Sequence, residues 1–309
     1  MPRAGTALTG RADILEVAPL TQVEMDGGTA AFVPDLLREA LPERPVGHPV
    51  TERAEYVRRV VSGGMPVAVR RPPGPSRERW FANYVDLVIE RDVLELSRVR
   101  QRAVLPRLLR VLAARAGQVL NVRNVAQTVQ VEPSTAENYL RLLEAVFLVR
   151  RLPAWGTTLG SRVGRQPKVH CVDPGLAAFL LGLTPGKIAT NDPSVLTEFG
   201  HVVETFVVSE VIAQASWFEG PVSVGHYRTA GGDEVDLVLE RGDGQVFAFE
   251  VKAGSRLHEA DLRGLRALRR RLGPRLSAAV VLHTGPHAFT FEDGIAALPL
   301  DSLWTASTA

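Results

Sequence analysis

The sequence is poor in cysteine and contains no long apolar run. Cys171 is the only cysteine among 309 residues, which excludes an intramolecular disulfide and a cysteine-based metal cluster and indicates a reducing compartment. No apolar segment approaches the roughly 18 residues of a membrane-spanning helix, and the N-terminus lacks the apolar core of a signal peptide. We therefore expect a cytoplasmic protein that has no membrane partner.

Lysine is also scarce, because Lys168, Lys187 and Lys252 are the only lysines among 36 basic residues. In such an arginine-rich chain, Lys252 indicates a site that needs a point charge instead of a planar guanidinium. The net charge of +2 is too small to indicate a nucleic-acid partner by itself. The content of 45% hydrophobic and 23% charged residues is ordinary for a globular protein, and the length allows two or three domains.

Two strand-like runs, residues 233–240 and 246–252, carry the most informative pattern. Each roughly alternates apolar residues with more polar ones, which is the period of a β-strand. The glycine-bearing segment 241–245 between them suits the loop of a hairpin. These residues therefore predict two adjacent antiparallel strands.

The predicted hairpin brings two carboxylates together. If it is symmetric about Asp243, Asp236 lies directly opposite Glu250 with β-carbons roughly 5 Å apart, and Lys252 points to the same face. Because facing like charges destabilise a sheet, we expect a divalent metal ion to compensate them. The alternative is a solvated hairpin face that carries scattered charges.

Residues 101–185 show the element order of a winged helix-turn-helix. Three helices, near 105–115, 121–128 and 135–145, precede two strands at 146–152 and 168–172, and residues 134–137 read as a capping box for the third helix. In a DNA reader that helix enters the major groove. Its candidate contacts are Ser134, Thr135, Asn138, Tyr139 and Arg141, and the wing adds Arg150, Arg151, Arg162, Arg165 and Lys168. These side chains suit phosphate contacts more than base reading; a protein-docking or spacer module is the alternative.

Residues 186–309 predict an αβββαβ domain, so the expected fold class is α/β plus α. The pattern gives a helix at 195–215, three strands up to residue 252, a helix at 257–272 and a central strand at 278–283. Residues 295–300 are expected to add an edge strand. Glu204 and Glu210 lie about 240° apart on the first helix, at roughly 100° per residue, so only one of them can reach the hairpin.

This order, with Glu204, Asp236 and the run Glu250-Val251-Lys252, resembles the restriction-endonuclease-like (PD-(D/E)XK) nuclease superfamily. The resemblance implies that Asp236 and Glu250 bind magnesium, or manganese in its place, and that Glu204 completes the site. It implies that Lys252 positions or activates the attacking water. Val235 stands where the superfamily has proline. The implied function is metal-dependent, nuclease-like DNA processing; the alternative is a non-catalytic DNA- or protein-binding module that acts as a regulator or defence component.

The whole chain resembles the C-terminal two-thirds of a prokaryotic family of AAA+-type ATPases that end in a nuclease-like domain of unknown function. The matching stretches are 8–11, 15–20 with Glu24, 63–66, 91–92, 138–140, 168–175, 200–204, 232–236 and 250–252. The resemblance implies that residues 1–48 are the end of the ATPase core with a linker and that residues 49–100 are a helical, lid-like region.

The chain has no G-x-x-x-x-G-K-[ST] motif, and no apolar strand ending in paired acids precedes residue 40. We therefore expect that it neither binds nor hydrolyses ATP on its own. Three origins stay open: a truncated relative, a mis-set start codon, or one half of a split pair whose protein partner is a separate ATPase core.

Overall fold

The computed structural model describes residues 16–29, 31–39, 50–93, 101–158 and 165–305. Most of the strand predicted at 12–17, and Arg162 of the predicted wing, lie outside these residues. The described helices are α1 (Gln22–Asp26), α2 (Phe32–Leu37), α3 (Arg53–Ser62), α4 (Pro66–Val69), α5 (Pro75–Leu87), α6 (Val104–Ala113), α7 (Val122–Val129), α8 (Pro133–Ala145), α9 (Pro174–Leu181), α10 (Pro185–Ile188), α11 (Pro193–Ala215), α12 (Arg263–Leu272) and α13 (Ser302–Thr305). The described strands are β1 (Val149–Leu152), β2 (Lys168–Cys171), β3 (Val222–Arg228), β4 (Glu234–Arg241), β5 (Val246–Lys252), β6 (Leu276–His283), β7 (Phe289–Thr290) and β8 (Ala296–Pro299).

The protein is of the α plus β class: a helical N-terminal region with a small two-stranded sheet precedes a domain built on a mixed six-stranded sheet. The strand order in the larger sheet is β3-β4-β5-β6-β8-β7. Strands β3, β4 and β5 pair antiparallel, whereas β5-β6 and β6-β8 pair parallel. The strand predicted at the edge is β8, but it lies inside the sheet because the short β7 pairs with its other side.

Helices cover both faces of this sheet. The side chains of Val202 and Phe206 in α11 share a core with Leu237, Leu239 and other residues of one face. On the other face, the leucines of α12 pack against alternate residues of β4, β5 and β6. The element order predicted for residues 186–309 is therefore present, with β7 and β8 completing the far side of the sheet.

Helix α11 is the central helix of the molecule. The Asp192 side chain caps it by accepting from the Ser194 backbone N–H at 2.8 Å, and Pro193 suits its first position because its missing N–H needs no partner there. The helix is apolar around most of its circumference, since the N-terminal helices pack on the side that the sheet leaves free. Among the described helices, none has the length and apolar character needed to cross a membrane.

Helices α6, α7 and α8 with strands β1 and β2 form a second unit, which we call the winged module. Its core includes Leu105, Leu108 and Leu112 of α6, and β1 pairs antiparallel with β2 from Val149↔Cys171 to Leu152↔Lys168. The predicted capping box is wrong, because α8 begins at Pro133 and its N-cap residue makes no side-chain cap.

The winged module contacts the edge of the larger sheet. The His226 backbone N–H in β3 donates to the Pro153 carbonyl at 2.9 Å, and the Trp155 N–H donates back to the His226 carbonyl at 2.6 Å. The segment that follows β1 therefore runs beside β3. As a result, the first residue of β2, Lys168, lies next to the start of β4.

Candidate functional site

Strands β4 and β5 pair in the predicted register. Leu237 pairs with Phe249 and Glu240 with Val246, which is the pairing of a hairpin symmetric about Asp243. Asp236 and Glu250 are the next residues after the last pair of this ladder, Leu237 and Phe249. The Val251 backbone N–H donates to Asp236 Oδ2 at 3.0 Å. This bond fixes one oxygen of Asp236, and the other oxygen points toward the winged module.

That second oxygen binds a lysine. Lys168 Nζ lies 2.9 Å from Asp236 Oδ1, 2.9 Å from Glu204 Oε1 of α11 and 2.7 Å from Glu234 Oε1. Lys168 is only 1% exposed, so these three carboxylates replace the water that an ammonium normally binds. The prediction that Lys168 contacts nucleic acid from the wing is wrong, because the side chain is buried inside the protein.

A second ammonium lies at the other side of the cluster. Lys252 Nζ is 2.9 Å from Glu250 Oε1 and 3.4 Å from Asp261 Oδ1. The second oxygen of Glu250, Oε2, is buried and has no hydrogen-bond partner among the described residues. Two of the three lysines in the chain thus lie in one site. We call the set of Glu204, Glu234, Asp236, Glu250, Lys168 and Lys252 the carboxylate cluster.

Carboxylates outnumber positively charged side chains in the carboxylate cluster. The cluster has four carboxylates and two ammonium groups. With Asp261 beside Lys252 and Arg228 beside Glu234 counted as well, five carboxylates face three cations, so the excess is two negative charges if all groups are ionised. Burial raises the pKa of Glu204 to about 8, and burial together with the Asp236 charge raises the pKa of Glu250 well above its usual range. Burial acts on Asp236 in the same direction, but the Lys168 ammonium outweighs it and holds the pKa of Asp236 below its usual range. Two protons or one divalent cation would balance the cluster.

Two buried histidines lie beside Lys168. His170 Nδ1 is 3.1 Å from Thr205 Oγ1, and His170 Nε2 is 4.0 Å from Glu204 Oε1. Burial, reinforced by the Lys168 charge, lowers the pKa of His170 to about 3 and that of His226 to about 4. Both imidazoles are therefore neutral near pH 7 and add no positive charge to the cluster.

The donor atoms and the charge of the cluster suit a divalent cation, but the present arrangement of its side chains does not. Oxygen donors are the ligands that magnesium prefers, the charge excess is two, and Glu250 Oε2 has no partner. Within the described residues, however, no three His, Cys, Asp or Glu side chains are placed to hold a metal ion. The Lys168 ammonium lies 2.9 Å from both Glu204 Oε1 and Asp236 Oδ1, and so takes the place that a cation shared by these two carboxylates would need.

Sequence reasoning missed Glu234 and misassigned Lys168. Glu234 stands two residues before Asp236 and so points to the same side of the strand, which is a signal that was available in the sequence. The scarcity of lysine, which singled out Lys252, applied equally to Lys168. The pairing of Lys168 with carboxylates 36 to 68 residues away had no sequence signal.

The predicted nucleic-acid contacts divide into surface and buried residues. Ser134, Asn138 and Arg141 are exposed on α8, and Thr135 is half-buried. Tyr139 is 7% exposed and packs in the core of the winged module, where its hydroxyl accepts from the Gln101 N–H at 3.3 Å. The prediction of Tyr139 as a surface contact is wrong, because it faces the inside of α8.

The three predicted wing arginines that the structure describes bind protein groups. Arg150 pairs with Glu16, Arg165 donates to the Arg228 carbonyl at 2.7 Å, and Arg151 donates to Glu137 and Glu144. These contacts use part of the capacity of each guanidinium to bind a phosphate. Arg141 keeps most of its surface free while it pairs with Glu137 at 3.0 Å.

Two family models match the chain, and both describe domains of unknown function. One, DUF8612, matches residues 53–187, and the other, DUF4143, matches residues 199–303. The chain is 26% identical over 305 residues to the uncharacterized protein Rv2008c of Mycobacterium tuberculosis and, to the same extent, to the uncharacterized protein Mb2031c of Mycobacterium bovis. These alignments cover 99% of this chain but only 60% of each relative. No solved structure matches the chain. The chain is thus similar over nearly its whole length to part of these longer mycobacterial proteins.

Proposed function

We propose that the protein processes nucleic acid, with a restriction-endonuclease-like, metal-dependent phosphodiesterase site in the sheet domain and a duplex-binding winged module. The observation that supports this most is the pairing of β4 with β5. It brings Asp236, Glu250 and Lys252 to the end of one hairpin, and α11 supplies Glu204 beside them. This is the set of residues that the resemblance to PD-(D/E)XK nucleases implies, delivered by the same order of elements.

In this proposal Asp236, Glu250 and Glu204 hold magnesium or manganese. A divalent ion bound there would polarise the phosphodiester and lower the pKa of a bound water. Lys252 contributes as a positively charged donor: burial lowers its pKa, but the Glu250 carboxylate more than offsets this and raises it above the usual value. Lys252 therefore stays protonated near pH 7 and positions water or a phosphate oxygen instead of removing a proton.

The winged module would hold the duplex through α8. Ser134, Asn138 and Arg141 point outward on this helix, and side chains of these types bind phosphate oxygens more often than base edges. The expected affinity is modest and falls with salt, since phosphate neutralisation dominates such binding.

A second function is favoured by the position of Lys168. If its ammonium stays between Glu204 and Asp236, the cluster is a permanent ion-pair contact between the two units. The protein is then a DNA- or protein-binding module that uses the nuclease-like domain as a scaffold. The relatives are longer than this chain, so we include a separate ATPase core as a candidate protein partner.

A cleavage assay separates the two functions. Purified protein is incubated with supercoiled, linear and single-stranded DNA in magnesium or manganese, alongside Asp236→Asn, Glu250→Gln and Lys252→Ala. The control is Glu240→Gln. Glu240 lies on β4, as Asp236 does, but its carboxylate accepts from Trp155 Nε1 and pairs with Arg275. We expect metal-dependent cleavage by the wild type and Glu240→Gln and at least about a hundredfold loss in the other variants. Equal residual cleavage in all five proteins would point to a contaminant and support the binding-module function.

A further inference from the structure

The position of Lys168 is built into the core of the winged module. The Lys168 backbone pairs with Leu152 of β1 on one side and forms an isolated β-bridge with Val119 on the other. The neighbouring backbone is held as well, since the Gly117 N–H donates to the Val169 carbonyl at 2.9 Å and the Leu120 N–H to the Pro167 carbonyl at 2.8 Å. The ammonium is therefore delivered to the carboxylate cluster by a paired strand and not by a loose loop.

The winged module touches Glu204 at a second point. Gly117 adopts a positive φ of 73°, and a Cβ added there would lie 2.4 Å from Glu204 Oε2. The Glu204 carboxylate is thus enclosed by Gly117 on one side and by Lys168 on the other. Any movement of the winged module away from α11 opens both contacts together.

An ammonium and a metal ion cannot use these oxygens at the same time. Lys168 Nζ lies 2.9 Å from both Glu204 Oε1 and Asp236 Oδ1, whereas magnesium binds oxygen at roughly 2.0–2.1 Å. Two cations that share the same pair of oxygens would lie within a few ångströms of each other and repel strongly. One of them has to leave before the other can bind.

A third carboxylate, Glu234, also holds Lys168. Glu234 lies 2.7 Å from Lys168 Nζ and 3.8 Å from Arg228 Nη1, and its side chain is one-third exposed at the rim of the cluster. It is not among the predicted metal ligands. Lys168 is therefore held by a third carboxylate in addition to Glu204 and Asp236, the two predicted metal ligands that it contacts.

We propose that Lys168 is the resident cation of the carboxylate cluster, and that a divalent ion loads only when the winged module withdraws this ammonium from Glu204 and Asp236. The winged module then controls the site: a duplex that shifts β2 exposes the metal ligands, and the closed arrangement keeps them occupied. This inference rests on the proposed function in one respect, which is that the cluster binds a divalent ion at all.

Manganese binding to the full chain tests this inference without any cleavage assay. Titration calorimetry compares the wild type with Glu234→Gln, which loosens Lys168 but leaves the predicted ligands intact, and with Lys168→Met. Glu240→Gln serves as the matched control, and Glu234→Gln combined with Asp236→Asn tests whether any bound ion uses the cluster. We expect Glu234→Gln to bind manganese at least about tenfold more tightly than the wild type, a factor that equals about 1.4 kcal/mol. Lys168→Met should bind more tightly still, Glu240→Gln should match the wild type, and the double variant should lose the gain.

The outcomes distinguish control by Lys168 from metal binding by the cluster, on which that control depends. If all variants except the double one bind manganese as the wild type does, the metal site stands and control by Lys168 is overturned. If no variant binds manganese, both the metal site and the inference fail. Should Lys168→Met not fold, Glu234→Gln still decides the question, together with hydrogen exchange in the wild type. Saturating manganese is expected to accelerate exchange of the β2 amides, and unchanged protection there in a metal-bound protein contradicts the withdrawal.

Discussion

Lys168 Nζ and Asp236 Oδ1 lie 2.9 Å apart although the two residues are separated by 68 positions in the chain. Lys168 belongs to the winged module and Asp236 to the hairpin of the larger sheet, so this ion pair joins the two units at the site where the sequence predicts a metal. Lys168 is 1% exposed, and in such surroundings a charge is stable only with its partners in place.

Removal of the Lys168 charge should therefore destabilise the protein strongly. Lys168→Met leaves Glu204, Glu234 and Asp236 facing one another, and breaking a buried ion pair typically costs about 3–5 kcal/mol. We expect a loss in this range for the free energy of unfolding in urea near pH 7. The matched variant Lys252→Met removes a lysine whose side chain is 30% exposed, so its loss should be smaller. A loss for Lys168→Met no larger than that for Lys252→Met would show that water reaches the cluster.

Local patterns were enough to predict the hairpin. Strand periodicity and a short loop determine the register, because a slip by one residue would turn every side chain to the opposite face. The pairing of Leu237 with Phe249 confirms this. The angle between Glu204 and Glu210 was equally informative: Glu204 binds Lys168, whereas Glu210 points to the N-terminal segment and accepts from the Gln22 N–H.

The errors came from contacts between units. The winged-helix pattern predicted where β2 lies, but a strand at the rim of a wing and a strand packed against a second sheet have the same local sequence. The sequence therefore predicts Lys168 at the surface. The prediction for Tyr139 is wrong for a different reason, since its position on α8 turns the side chain toward the Gln101 backbone and the core. The N-terminus of α8 was misjudged because Pro133 starts the helix one residue before Ser134.

The protonation of Glu210 should make stability fall as the pH rises. Its carboxylate accepts from the Gln22 N–H at 3.0 and 3.1 Å, but burial outweighs these bonds and raises its pKa to about 8. The folded state then holds a proton that the unfolded chain releases above its ordinary pKa of 4.5. This contribution is complete below that value and is lost as the pH rises to about 8.

Glu210→Gln isolates this effect from that of Glu204, whose pKa is also raised by burial. Between about pH 5 and pH 9 we expect the wild type to lose at least about 1 kcal/mol relative to the variant, since one pKa unit corresponds to about 1.4 kcal/mol. Urea unfolding at several pH values measures the difference. Parallel pH profiles for the two proteins would mean that Glu210 is ionised in the folded state.

Gly264 is expected to be irreplaceable, because it lets α12 approach β4. A Cβ built at this position would lie 1.6 Å from the Glu234 carbonyl oxygen, and that backbone atom cannot rotate away as a side chain could. Gly264→Ala should lower the free energy of unfolding by about 1–3 kcal/mol or more, as overpacking does. Gly186→Ala is the matched control, since nothing lies within 4 Å of an added Cβ there. Equal melting temperatures for the two variants would show that α12 can shift freely on the sheet.

Arg141 should contribute to duplex binding through one phosphate. Its side chain is 66% exposed and pairs with Glu137 four residues earlier, so the guanidinium can turn to a phosphate at little cost. We expect Arg141→Ala to weaken binding to duplexes of different sequence by a similar factor. The slope of log affinity against log salt should fall by about 0.9, the value for one phosphate contact. Fluorescence anisotropy between about 50 and 200 mM salt measures both quantities.

Arg38→Ala provides the control for this measurement. Arg38 is similarly exposed, at 56%, and also pairs with an acid three residues earlier, Asp35 of α2. It is the C-cap residue of α2 and lies outside the winged module. If the duplex contacts α8, only the Arg141 variant should change the slope, because both variants remove the same charge from the whole protein. Equal losses for the two variants would indicate attraction by net charge alone. An unchanged slope for Arg141→Ala, with measurable binding, would place the duplex on another face and leave α8 as a surface for a protein partner.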